Sequence, residues 1–95
     1  MSLPLAALTT AELDAATLAT LFSDIATLTS VDTVLVKGAA TAYAGAAGLE
    51  EARRRFAGGA LGLQIRYRWQ GEAWWDTLVR LGDGRTRLVR TRAPA

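Results

Sequence analysis

The sequence predicts an α+β fold in the order α-β-α-β-β-β, with a first helix laid across one face of an antiparallel sheet. Three features carry this expectation: an apolar stripe at helical spacing before residue 28, period-two alternation after residue 60, and glycine-bearing turns that divide the last third into strands. The expected sheet is a C-terminal three-stranded meander plus one short edge strand.

Residues 1–8 read as an N-terminal tail. Thr9 and Glu12 stand in the capping-box relation, a hydroxyl that accepts from the N3 amide and a carboxylate that reaches back, so a helix is expected over residues 9–28. At 100° per residue, Leu18, Leu21, Phe22, Ile25 and Leu28 share one stripe, and Thr17, Thr20, Ser23, Asp24 and Thr27 lie opposite. Such a stripe marks a helix that buries one side in a core.

Residues 31–37 include the β-branched Val31, Thr33, Val34 and Val36 and read as a strand, with a helix capped by Ser30 as the competing reading. Residues 38–48 are rich in Ala and Gly, hold one aromatic, Tyr43, and have no sustained period, which predicts a loop. They match neither the Walker pattern nor the dinucleotide glycine fingerprint, so a phosphate cradle is not indicated. A short second helix is expected over 49–57, with Leu49, Ala52 and Phe56 inward and Gly58-Gly59 as its stop. Glu50 and Glu51 each precede an arginine by four residues, so the Arg53-Arg54-Arg55 run reads as a solvated helix face.

Leu61, Leu63, Ile65, Tyr67 and Trp69 alternate with Gly62, Gln64, Arg66 and Arg68, the pattern of a half-buried strand over 61–69. Gln70-Gly71 turns the chain into a strand over 72–81, and Gly82-Asp83-Gly84 turns it again into one over 85–92. A two-residue first turn sets Tyr67 opposite Trp74 and Leu63 opposite Leu78. A three-residue second loop sets Leu78 opposite Leu88 and Asp76 opposite Arg90, whereas a two-residue loop would oppose Arg80 to Arg87, which like-charge repulsion disfavours.

This register sorts the side chains. One face carries Leu61, Leu63, Ile65, Tyr67, Trp69, Trp74, Leu78 and Leu88, enough to receive the helical stripe, and is the expected core. The other carries Gln64, Arg66, Arg68, Trp75, Thr77, Val79, Arg87 and Val89, too polar for burial and too aromatic for an ordinary wet face. Arg66, Arg68, Trp75 and Arg87 are therefore the candidate binding residues. Asp76 and Arg90 meet on the core face and read as a structural, partly buried ion pair.

Composition bounds the chemistry. Ninety-five residues suit one domain, taken as spanning 1–95, and 51% apolar with 21% charged residues is a globular balance rather than a disordered one. There is neither cysteine nor histidine, which removes disulfides, thiolate or imidazole metal sites and the familiar nucleophilic triads. No metal and no cofactor are expected. Lys37, Tyr43 and Asp76 are the remaining groups for catalysis; Glu72 sits near the hairpin and makes no paired-carboxylate site with Asp76. The opening residues lack a basic n-region and no run approaches the ~18 apolar residues of a membrane span, so no membrane partner is expected and the reading is cytoplasmic.

The net charge of +2 is unevenly spread, because all the arginines follow residue 49 and Lys37 is the only cation before it. Base composition of the gene accounts for an arginine-for-lysine bias more readily than a phosphate or acidic partner does. The function expected from these features is a non-enzymatic protein-binding or accessory module, with a second copy of itself among its partners. A nucleic-acid-binding protein using the same Arg and Trp residues is the alternative, since cations and a stacking ring are what single strands require. An enzyme stands third.

Overall fold

The structure, a computed structural model, describes residues 8–94. Its elements run β1 (Leu8–Leu13), α1 (Ala15–Leu28), β2 (Ser30–Val36), β3 (Tyr43–Ala44), α2 (Gly45–Ala57), β4 (Gly62–Trp69), β5 (Glu72–Arg80) and β6 (Thr86–Arg92). The strands form one antiparallel six-stranded sheet in the order β1-β6-β5-β4-β2-β3. The fold is thus α+β, with the C-terminal meander β4-β5-β6 at its centre.

The meander has the register that alternation predicts. Gln70 and Gly71 both take positive φ, 51° and 78°, the geometry of a two-residue hairpin turn that matches strand twist, and Trp69 pairs with Glu72 beyond them. Tyr67 faces Trp74, Leu63 faces Leu78, Leu78 faces Leu88 and Asp76 faces Arg90.

Both helices lie over the face that carries Leu63, Ile65, Tyr67, Trp74, Leu78 and Leu88. The stripe of α1 supplies Leu21, Phe22 and Ile25, and α2 supplies Leu49, Ala52 and Phe56, all buried with Val34 and Val36 of β2. Leu18 packs at the margin of this core, and Leu28 at the end of the stripe is exposed.

Several expectations are revised. Leu61, expected on the core face, precedes β4 and is exposed. Residues 1–7 of the expected tail lie outside the described residues, but Leu8 already belongs to β1, and Thr9 to Leu13 are strand rather than helix. The Thr9–Glu12 capping box does not form. Asp14 caps α1 instead, accepting from the Thr17 amide at 2.7 Å. The physical reason is the vacant edge of β6. Pairing there buries Leu13 and half-buries Ala11 opposite Thr86 and Leu88, and brings Glu12 to Arg85 and Arg87. A helix begun at Thr9 would forgo all of these.

The strand expected at 31–37 is β2, and the competing helix from Ser30 does not form. It is not an edge: β2 lies between β4 and the two-residue β3. A register shift between Val31 and Thr33 keeps both Val31 and Val34 on the core face despite their odd spacing.

The expected loop at 38–48 contains β3 and the first turn of α2, which starts at Gly45 rather than at residue 49. The Ala44 cap makes no side-chain hydrogen bond, so no capping residue announces this start. Gly48 has a packing reason: a Cβ there would come within 2.8 Å of the Tyr43 carbonyl carbon, so glycine lets the helix lie against β3. Along α2, Arg55 meets Glu51 as expected, whereas Glu50 pairs with Arg53 and Arg54 with Glu51.

Candidate interaction surface

Among the described residues no helix covers the second face of the sheet. Register orders its side chains in rows across the strands. The middle row reads Thr10, Val89, Thr77, Gln64 and Leu35; toward the 82–84 loop it is flanked by Glu12, Arg87, Val79 and Gly62; toward the 70–71 turn by Thr91, Trp75, Arg66 and Thr33. Lys37 extends the second row, its amide bonded to the Gly62 carbonyl at 3.0 Å.

Arg66 and Trp75 are adjacent, with the guanidinium carbon 4.1 Å from the centre of the ring. Arg66 Nε donates to Gln64 Oε1 at 2.8 Å, and Gln64 Nε2 donates to Thr77 Oγ1 at 3.3 Å. This chain of polar contacts fixes Arg66 flat on the sheet. Trp75, Thr77, Gln64, Leu35 and Val89 are half-buried and Val79 is 43% exposed, so the middle of the face is largely apolar or hydroxyl in character.

The other two candidate arginines are not part of this cluster. Arg68 lies two pairs nearer the hairpin and approaches Asp32 at 3.8 Å; Arg87 lies across from Val79 and approaches Glu12 at 4.0 Å. Both are exposed and partly neutralised at the rim. Beside Gly62, which has no side chain, the surface dips into a depression of about 300 Å³ lined also by Leu35, Lys37, Gln64, Thr77 and Val79. A Cβ at Gly62 would meet the Leu78 carbonyl oxygen at 3.1 Å.

The groups considered for catalysis do not converge. Asp76 is fully buried, bidentate to Arg90 (Nε–Oδ1 2.8 Å, Nη2–Oδ2 2.6 Å) and acceptor of the Tyr67 hydroxyl at 2.9 Å. The pair is therefore completely rather than partly buried. Desolvation and the Asp76 charge push the Tyr67 phenol far above its ordinary pKa. Burial works against the Arg90 cation, but the Asp76 carboxylate outweighs it and holds the guanidinium pKa above its usual value. Tyr43 occupies the same row as Asp76 but three strands away, about 14 Å at ordinary strand spacing, with Arg55 over its ring. Lys37 lies beyond the end of β2. Among the described residues no three acidic side chains are grouped to hold a metal ion, and no helix is long and apolar enough to cross a membrane.

Sequence reasoning missed two contributions. Tyr67 shares the core face with Asp76 one row away, a diagonal that long side chains bridge, and its hydroxyl could have been assigned from the register alone. Arg80 was read only as a charge to be kept from Arg87. Its guanidinium instead bonds the Phe56 and Ala60 carbonyls and lies over the Phe56 ring, tying the end of α2 to β5. Comparison with known proteins gave no matching family model, no match among curated proteins and none among solved structures.

Proposed function

We propose that this protein is a non-enzymatic module that self-associates through the open face of its sheet. The observation that carries the reading is the Arg66–Trp75 pair, held flat on a face whose centre is apolar or hydroxyl. Tryptophan and arginine dominate binding hot spots, and a large ring left half-exposed there favours recognition.

Size supports a second copy as the occupant. Six strands at ~4.8 Å spacing and ~23 Å length give a flat footprint of about 550 Å². The total of about 1,100 Å² clears the ~1,000 Å² floor of an interface but falls short of the ~1,200–2,000 Å² of stable ones, which makes the association a weak one. Charge is compatible with it: Arg68 lies near Asp32, and Arg87 near a Glu12 that Arg85 holds more closely. Arg66 and Lys37 have no ion-pair partner among the described residues, so the nucleic-acid reading keeps cations for phosphates and is separated by its steep loss of affinity with salt.

Sedimentation velocity over a concentration series tests the proposal. A dimer that persists in raised salt is expected, because its contacts are mainly apolar. A monomer at every concentration contradicts it, and salt-sensitive binding of a single-stranded oligonucleotide by that monomer would favour the alternative.

A further inference from the structure

We infer that the cleft between α1, α2 and the 82–84 loop binds a small organic carboxylate with an apolar body, its head held by Arg53 and Arg80. The cleft is on the helical side of the molecule, so the inference stands whether or not the sheet face self-associates.

The cleft follows from how the helices are seated. Each is anchored to the sheet by its own buried residues, Leu21, Phe22 and Ile25 in α1 and Leu49, Ala52 and Phe56 in α2. The side chains that face each other across the gap are short, Ala15 and Ala19 against Ala57, and do not fill it. A hollow of about 250 Å³ remains beside Phe22 and Phe56, with the half-buried Leu18 as a further wall. A cavity of about 150 Å³ holds a benzene molecule, so one ring or a short acyl chain fits here together with a carboxylate.

Two cations and no acid line this cleft. Arg80 projects from the core face of β5 and is half-buried, yet no carboxylate of the described residues lies within ion-pair distance of it. Its bonds to the Phe56 and Ala60 carbonyls take two of the five N–H donors of a guanidinium. A cation withdrawn from water and matched with neutral acceptors gains more from an anion than a solvated one does. Arg53 stands on the α2 wall, 3.7 Å from Glu50 in an exposed pair that contributes little. The acids that flank the mouth are engaged elsewhere: Asp14 accepts from the Thr17 amide, and Asp83 pairs with Arg85. Guanidinium forks match the geometry of a carboxylate. An inorganic anion would use the cations but leave the phenyl walls uncovered, whereas an aryl or short acyl carboxylate uses both.

The test is amide chemical-shift mapping of isotope-labelled protein titrated with benzoate and, separately, with its neutral counterpart benzamide. Saturable shifts at Leu18, Ala19, Arg53, Ala57 and Gly84 are expected with benzoate, and roughly tenfold weaker binding of benzamide, the difference that one charge-assisted hydrogen bond makes. Arg53→Gln should weaken benzoate several-fold and leave benzamide unchanged. Ala19→Leu, which fills the cleft, should abolish binding of both with a melt matching the parent; if that variant does not fold, the Arg53→Gln result decides. Equal affinity for the two probes, shifts that map to the sheet face, benzoate binding unchanged in Arg53→Gln or in a folded Ala19→Leu, or no saturable shift with benzoate would each overturn the inference, and none of these bears on the oligomeric state.

Discussion

Asp76 and Arg90 face each other across β5 and β6 as a bidentate ion pair with both side chains sealed in the core. Removing one partner leaves the other charged and dry, so Asp76→Ala should cost about 3–5 kcal/mol. Replacing both, as in Asp76→Leu with Arg90→Met, should recover most of that loss, because apolar side chains of similar volume need no partner. Chemical denaturation of the three proteins measures this, and an additive loss in the double variant would mean that the residues are not coupled.

The phenol above this pair gives a pH dependence of defined sign. Its folded pKa is raised, so the stability it contributes is complete below the ordinary value of 10.0 and falls as pH climbs past it, while the unfolded chain ionises and the folded one does not. In Tyr43→Phe, which leaves Tyr67 as the only tyrosine, phenolate absorbance should appear together with unfolding. Phenolate formation in a still-folded protein would show that the hydroxyl is not sealed.

Gly48→Ala should reverse the usual helix rule. Alanine in a helix interior is normally favoured by about 1 kcal/mol. Here its Cβ would come within 2.9 Å of the Tyr43 Cβ, so α2 or β3 must shift, and a loss of about 1–3 kcal/mol is expected from overpacking. A raised melting temperature would show that the helix has more room against β3.

What could be read from sequence follows the strength of local signals. The register of the meander was legible because period-two alternation and two glycine turns leave one pairing free of opposed arginines, and that register also sorts Trp75 and Arg66 from Leu78 and Leu88; the strand ends differ by one residue at Leu61, Leu81 and Arg85. The first strand was hidden because Thr9, Glu12 and Leu13 satisfy a helix start equally well. The choice falls to an edge of β6 some 75 residues away, which no local pattern contains. The start of α2 was hidden for a different reason, since Gly48 lowers helix propensity but serves a contact with Tyr43 made only in the folded chain. Within the site, the Arg66–Trp75 pair was legible from register, but the neutralisation of Arg68 and Arg87 was not, because Asp32 and Glu12 come from strands outside the meander.

The central claim, that the open sheet face is where this protein meets its own copy, is tested most directly by Arg66→Ala combined with Trp75→Ala. Neither side chain contributes to the buried core, so the fold should survive. Sedimentation velocity together with a thermal melt reads both properties. The account predicts a shift from dimer to monomer with a melt close to that of the parent; an unchanged dimer with that same melt would contradict it.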